Sequence, residues 1–303
     1  MGIDLSSDFE VLDPRFRKLT LLYVRVEKLW TGSRWAEGPA WFGGGRYLVW
    51  SDIPNDRVMR WDETDGSVSV FLQPSMNSNG HTVDGQGRLV SCEHRGRCIS
   101  RTEHDGARTV VASHFEGRRF NSPNDVVVKS DGSIWFSDPS YGIDSDYEGD
   151  ASPSEMGAQR VYRVNPANGN VTVVASDFVQ PNGLAFSPDE SLLYIVDTGA
   201  THVPGGPHHV RRFTVAADGT LGGGEVFADC PVGLYDGLRV DVQGNLWLSA
   251  GDGVHCHAPD GTLIGKIRIP EPVANLCFGG AKRNRLFICA TSSLYSVYLN
   301  TRG

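Results

Sequence analysis

The chain has 303 residues, with 28 Lys and Arg against 36 Asp and Glu, so its formal charge is −8. This charge, without any basic run, argues against double-stranded nucleic acid and anionic membranes as partners. Hydrophobic residues make up 40% of the chain and charged residues 21%. The composition excludes a disordered or fibrous protein and predicts a large core.

The chain starts with MGIDLSSDFEVLDPRFRKL, which lacks the basic start and the unbroken apolar stretch of a secretory signal. No segment approaches the roughly 18 apolar residues of a membrane span. Six cysteines are scattered without a C-x-x-C pair, so neither a disulfide scaffold nor a zinc ribbon is indicated. We expect a cytoplasmic protein with reduced, mostly buried thiols.

Short apolar runs separated by turns predict strands along the whole chain. They are YLVW (47–50), VSVFL (68–72), SIWFS (133–137), VTVVA (171–175), LLYIV (192–196), NLWLS (245–249) and RLFIC (285–289). Asp-Gly or Asn-Gly turn signals fall between such runs, and no helical pattern competes with them. The chain is therefore predicted to be all-β.

Six copies of one pattern can be aligned, and they recur at intervals of roughly 40 to 60 residues. They begin at Glu37, Asn79, Asn124, Asn182, Asp236 and, in the last copy, Ala274 or its neighbour Asn275. A repeat of this length with four strands is typical of a propeller blade. The sequence predicts a six-bladed β-propeller with four-stranded blades.

The last repeat ends with LYSVYLN (294–300) after only three strands, whereas the strand-like LYVRVEKLW (22–30) precedes the first repeat. A propeller closes when a terminal strand completes the last blade. We predict that 22–30 is this N-terminal strand, that 22–303 form a single propeller domain and that 1–21 form an N-terminal extension.

The first residue of each innermost strand should open onto the central channel. Two carboxylates and three amides from five blades would therefore converge on one axis. Oxygen ligands of this kind suit a hard divalent ion such as calcium, magnesium or manganese, which would also offset the repulsion between the carboxylates. As an alternative, Asn79, Asn182 and Asp236 each precede glycine and would be ordinary turn residues.

Long connections between second and third strands should overhang this site on the same face. They span 51–57, 138–159 and 197–209. Long loops in compact domains often carry function, so we expect them to form the substrate pocket. The alternative for the acidic stretch 144–155 is a solvated surface loop.

Five ordered motifs resemble the signature segments of the gluconolactonase/regucalcin (senescence marker protein) family. They are EGP (37–39), NSPND (121–125), FSDPSYG (136–142), PNGLAFS (181–187) and DG (236–237). The resemblance spans roughly 35–300. It implies a six-bladed propeller with one divalent ion in the channel and activity on sugar lactones.

The resemblance also implies roles for individual residues. The implied metal ligands are Glu37, Asn124, Asn182 and Asp236, with Asp236 also acting as the base. Calcium is the expected ion, with magnesium, manganese or zinc as alternatives. The resemblance further implies Arg119 and Asn121 as residues that bind a sugar lactone. Positions near the predicted channel mouth make Asn79, His81, Glu93, His94 and Tyr141 further candidates for binding the lactone.

The leading hypothesis is a monomeric or homodimeric hydrolase that opens glucono-1,5-lactone to gluconate. One alternative is hydrolysis of another ester or a phosphotriester at the same metal site. The other is a calcium-binding propeller without catalysis. Serine-nucleophile catalysis is disfavoured because no G-x-S-x-G motif occurs. His255 and His257 alternate on one strand, but without a third partner they do not predict a metal site.

Overall fold

A computed structural model describes residues 7–303. Its strands in the first two blades and before them are β1 (Phe9–Val11), β2 (Glu27–Thr31), β3 (Ala36–Phe42), β4 (Tyr47–Asp52), β5 (Arg57–Asp62), β6 (Val68–Leu72), β7 (Ser78–Val83), β8 (Leu89–Glu93), β9 (Cys98–Thr102) and β10 (Arg108–Ala112). A small hairpin and the third and fourth blades follow as β11 (His114–Phe115), β12 (Arg118–Arg119), β13 (Val126–Val128), β14 (Ile134–Asp138), β15 (Arg160–Val164), β16 (Val171–Ala175), β17 (Pro181–Phe186), β18 (Leu192–Asp197), β19 (His209–Val215) and β20 (Leu221–Asp229).

The remaining strands belong to the fifth and sixth blades. They are β21 (Leu238–Val240), β22 (Leu246–Ala250), β23 (Gly253–His257), β24 (Leu263–Arg268), β25 (Val273–Gly279), β26 (Arg285–Ala290) and β27 (Ser293–Tyr298). Helical structure in the described chain consists of α1 (Tyr141–Asp144) and three 3-10 turns, Pro14–Lys18, Ile53–Asn55 and Gly199–Thr201. In residues 7–303, no helix is long and apolar enough to span a membrane.

Six antiparallel sheets are arranged as blades, and β11 and β12 form a separate two-stranded sheet. The predicted six-bladed β-propeller is therefore confirmed. Second strands such as β22 are buried along their whole length, because neighbouring blades cover both faces of each sheet. Continuous apolar runs follow from this two-sided burial. Outer strands such as β6 are mostly exposed.

Apolar contacts between neighbouring blades hold the ring together. In the described chain, six clusters of buried side chains lie between successive blades, and one of them joins the sixth blade to the first. In that cluster Trp41 stacks on Phe287 with ring centroids 5.3 Å apart. All six cysteines are buried and unpaired, as expected.

The N-terminal strand closes the last blade as predicted, because β2 pairs with β27, with Thr31 opposite Ser293. The closing strand begins at Glu27 rather than at residue 22.

The N-terminal extension packs against the propeller from residue 9 onward. Strand β1 adds a fifth strand to the fifth blade, with Phe9 opposite Ile267. The following 3-10 turn inserts the fully buried Phe16. Residues 1–6 of the predicted extension lie outside the described residues.

Candidate active site

Side chains from five blades meet at one end of the central channel. Glu37, Asn79 and Asn182 lie near the starts of β3, β7 and β17, whereas Asn124 and Asp236 come just before β13 and β21. All five line one cavity of about 350 Å³. The structure thus brings together the four residues predicted as metal ligands and the neighbouring Asn79.

The strands that carry these residues are irregular at this point. In four innermost strands the pairing register shifts at the repeat position, between Glu37 and Ala40 and at the equivalent places in β7, β17 and β25. Such bulges bend a strand and redirect its side chains. This local geometry turns the polar side chains at the strand starts toward the channel mouth.

Glycines after the site residues let neighbouring blades approach closely. A Cβ on Gly38, whose φ is +53°, would lie 2.0 Å from the carbonyl oxygen of Asn79. A Cβ on Gly183 would lie 2.3 Å from the carbonyl oxygen of Asp236, to which the Gly183 N–H donates at 3.0 Å. A Cβ on Gly80 or Gly237 would likewise meet the next blade, at Asn124 or Asn275. The Asn-Gly and Asp-Gly pairs at the repeat position are therefore contacts between blades at the channel, not ordinary surface turns.

The site concentrates buried negative charge. Burial, followed by the nearby Asp236 and Asp125 carboxylates, raises the pKa of Glu37 well above its ordinary value. Burial also raises the pKa of Asp236 to about 8, with Asp125 and Glu148 adding to the shift and a hydrogen bond from Asn182 opposing it. Like charges held together out of water disfavour ionisation, so this cluster favours binding either protons or a cation.

The donor set fits a hard divalent ion. The side-chain oxygen of Asn79 is buried without a hydrogen-bond partner in the described chain, and two carboxylates face the same cavity. Across residues 7–303, no three His, Cys, Asp or Glu side chains are grouped to hold a metal. A metal here would therefore rely on amide oxygens beside Glu37 and Asp236, which calcium and magnesium accept.

Two of the three predicted loops form the pocket wall. Tyr141 and Glu148 from 138–159 and Thr198 and Thr201 from 197–209 line the cavity. The Tyr141 hydroxyl lies 3.0 Å from that of Thr201, which joins the two loops. Segment 51–57 does not line the cavity, because Asp52 is buried in an ion pair with Arg57 at 2.8 Å that holds this segment against its own blade.

Residues 35–292 match the model of the SMP-30/Gluconolactonase/LRE-like region family. The chain belongs to this family. It is 32% identical to a gluconolactonase of Zymomonas mobilis over 96% of this chain and 85% of that protein. A solved gluconolactonase from Xanthomonas campestris is 38% identical, with a TM-score of 0.90 over 98% of this chain and 97% of that one. The calcium-binding protein regucalcin from Agrobacterium tumefaciens shares the fold, at 21% identity and a TM-score of 0.76 over 92% of this chain and 95% of that one.

Two substrate-binding candidates implied by the family resemblance lie outside the cavity lining. The Asn121 amide is fully buried and donates to the carbonyl oxygens of Asp138 at 3.2 Å and Ala158 at 3.0 Å. Arg119 lies in β12, and its backbone N–H donates to Glu155. In this family member both residues support the loop 138–159 instead of facing the cavity.

Three further candidates lie behind the pocket wall instead of in it. His81 contacts the hydroxyls of Ser51 at 2.8 Å and Ser91 at 2.7 Å, because the bulge between Ser78 and His81 turns it away from the mouth. Glu93 is buried in an ion pair with Arg108. His94 is fully buried and lies 3.3 Å from the Asn79 amide nitrogen.

His255 and His257 share one face of β23, as predicted. Both approach the Tyr235 hydroxyl, at 3.4 Å from His255 Nδ1 and 2.7 Å from His257 Nε2. Tyr235 precedes Asp236, and its carbonyl oxygen accepts a hydrogen bond from Thr198 at 3.0 Å. The histidines thus anchor the segment that leads into the site.

Sequence reasoning missed Glu148 and Trp35, which both line the cavity. Glu148 lies in the acidic stretch for which a solvated loop was the alternative interpretation. Trp35 lies two residues before Glu37. This short distance in sequence from a predicted site residue was the feature that could have indicated its place in the cavity wall.

Proposed function

We propose that this protein is a metal-dependent lactonase that opens sugar lactones, with glucono-1,5-lactone as the expected substrate. The observation that carries the proposal is the meeting of Glu37 and Asp236 with amides from three further blades in one cavity. The gluconolactonase relatives, which match nearly the whole chain, support the substrate class.

Glu37, Asn124, Asn182 and Asp236 would hold one divalent ion, with calcium expected from the oxygen ligands. A bound ion supplies Lewis-acid polarisation of the lactone carbonyl oxygen. The chain's own hydroxyls at Tyr141, Thr198 and Thr201 line the same cavity and would orient the hydroxyl groups of the sugar.

Asp236 is the proposed general base. Its carboxylate accepts a proton from a water molecule whose oxygen forms the new bond to the carbonyl carbon of the lactone. Asp236 lines the cavity, as a general base must, because it has to lie within hydrogen-bond reach of the attacking water. The bond between the carbonyl carbon and the ring oxygen then breaks, and the ring oxygen keeps the electron pair and takes up a proton. The products are the open-chain acid and its hydroxyl group.

Hydrolysis of glucono-1,5-lactone by chelator-treated protein tests this proposal. Acid release is followed at fixed pH after calcium, magnesium, manganese or zinc is added back, with spontaneous opening subtracted. We expect metal to restore turnover, and Asp236→Asn to lose at least about 100-fold in kcat while retaining most of the metal affinity. Asp229→Asn, at an exposed carboxylate, is the control and should behave like the unmodified protein.

Retained turnover in Asp236→Asn would remove Asp236 as the base. Metal binding without turnover of this lactone would favour another ester or phosphotriester, or a calcium-binding propeller without catalysis. Cytoplasmic location and a monomeric or dimeric state stay predictions.

A further inference from the structure

Glu148 faces the candidate active site from the loop between β14 and β15. It lines the same cavity as Asp236 and Tyr141, and its charge contributes to the raised pKa of Asp236. The family-derived ligand set and the proposed base do not include Glu148. A carboxyl group in this position needs its own explanation.

The backbone around Glu148 is fixed. Its carbonyl oxygen lies 3.1 Å from Nδ1 of His94, which is fully buried. The next residue, Gly149, packs so tightly on Gly142 that a Cβ would lie 2.1 Å from the Gly142 carbonyl oxygen. Asp150 then forms an ion pair with Arg95 at 3.2 Å. The loop therefore holds the Glu148 side chain at the cavity instead of leaving it in solvent.

The Glu148 carboxyl group has no hydrogen bond and no ion pair within residues 7–303. Burial, followed by the Asp144 carboxylate, raises its pKa to about 7. Within residues 7–303, Glu148 forms no group of three acidic side chains with Glu37 and Asp236 that could hold a metal. It is free to contact a ligand in the cavity.

Opening a sugar lactone leaves an aliphatic alkoxide on the former ring oxygen, and an alkoxide of this kind is a poor leaving group unless it is protonated as the bond breaks. Asp236, as the proposed base, takes its proton from the attacking water. A proton must also reach the ring oxygen, and a second acidic group at the cavity would supply it directly. An unpaired carboxyl group facing the cavity meets this requirement.

We propose that Glu148 is the general acid of lactone opening. The bond between the carbonyl carbon and the ring oxygen breaks, its electron pair goes to the ring oxygen, and that oxygen takes the proton of the Glu148 carboxyl group. Solvent returns the proton from Asp236 to Glu148, so each cycle consumes one water molecule and no other reactant. This inference rests on the proposed lactonase function.

The test compares two lactones with different leaving groups. Glucono-1,5-lactone releases an aliphatic alcohol, whereas dihydrocoumarin releases a phenol that needs little protonation. For Glu148→Gln we expect kcat on glucono-1,5-lactone to fall about 100-fold with KM within about threefold, and kcat on dihydrocoumarin to change by less than about threefold. Glu225→Gln, at an exposed carboxylate of the outer strand β20, is the matched control and should leave both rates unchanged.

Two further measurements separate the outcomes. Glu148→Asp keeps a carboxyl group and should recover at least about a tenth of kcat on glucono-1,5-lactone, so the acid is tested even if dihydrocoumarin is not a substrate. Calorimetric titration of the metal-free protein with calcium should give affinities for Glu148→Gln and the unmodified chain that agree within about 10-fold, because Glu148 contributes a nearby negative charge and no ligand to the ion.

Equal losses on both lactones, or no recovery in Glu148→Asp, would overturn the acid role. A loss of calcium affinity of more than about 10-fold in Glu148→Gln would also overturn it, by making Glu148 part of the metal site. Failure of the lactonase proposal itself looks different, because the unmodified protein would then hydrolyse neither lactone with any metal.

Discussion

The side-chain amide of Asn275 donates to Glu37, with Nδ2 3.0 Å from Oε2. The same nitrogen lies 3.5 Å from an oxygen of Asp125, and the amide oxygen accepts the Leu276 N–H at 2.8 Å. This last contact fixes which end of the amide faces the carboxylates. The sixth blade therefore supplies a hydrogen-bond donor at the repeat position, whereas the first and fifth blades supply carboxylates.

Asn275→Ala should weaken metal binding. The Asn275 amide orients one oxygen of Glu37, and residues that orient metal ligands typically contribute 10- to 100-fold to affinity. Calorimetric titration with calcium should therefore show a loss of about 10-fold or more. Asn300→Ala, which removes an exposed amide bonded to the Lys18 carbonyl oxygen, should leave affinity unchanged. Unaltered affinity in Asn275→Ala would show that Glu37 needs no such support.

Stability of the metal-free protein should depend on pH through Asp236. Its pKa is about 8 when folded and about 4 when unfolded. The folded chain therefore binds more protons between these values, and its stability falls as pH rises through this window, by up to about 1.4 kcal/mol per pH unit for one proton.

Asp236→Asn removes this dependence, because its amide stays neutral. The melting temperature of the variant minus that of the unmodified protein should increase from pH 6 to pH 8 in chelator. A difference that does not vary with pH would contradict the raised pKa.

The ring and its closure could be predicted because each blade repeats one pattern and buries its strands on both faces. The bulges at the strand starts were not predictable in the same way. Asn79 and His81 are two residues apart and would share a face in a regular strand, yet the bulge between Ser78 and His81 separates them. For this reason Asn79 reaches the cavity and His81 does not.

Features without a repeat were harder to predict. Glu148 lies in an insertion in one blade only, so no second copy indicated its orientation. The short strand β1 and the buried Phe16 lie before the first repeat, in a segment whose partner, β24, is more than 200 residues away in sequence. A strand of three residues that pairs with a distant strand is too short to produce a clear local apolar periodicity.

Phe16→Ala should destabilise the protein without changing its site. The Phe16 ring is fully buried against Trp247, with centroids 6.0 Å apart, and against the backbone of Gly265. Removing a buried phenylalanine ring costs about 3 to 5 kcal/mol, which denaturant unfolding would measure. Leu12→Ala, at a half-exposed side chain, should cost far less.

For Phe16→Ala we expect calcium affinity to stay unchanged, because the extension lies against the outer part of the fifth blade. Loss of calcium affinity in Phe16→Ala would contradict this separation.

Gly183→Ala should disturb the metal site through the contact between the fourth and fifth blades. The added Cβ would lie 2.3 Å from the carbonyl oxygen of Asp236 and 2.8 Å from the Gly237 Cα. Both neighbours are backbone atoms, so relief requires the two blades to separate at the residues that carry Asn182 and Asp236. We expect calcium affinity to fall at least about 10-fold, the size of effect seen when support for metal ligands is removed.

Gly44→Ala is the matched control for this change, because its added Cβ would meet nothing within 4 Å. It should leave calcium affinity and melting temperature unaltered. If Gly183→Ala lowered the melting temperature but kept full calcium affinity, the blades could absorb the methyl group without moving Asp236. The close approach at Gly183 would then serve packing alone.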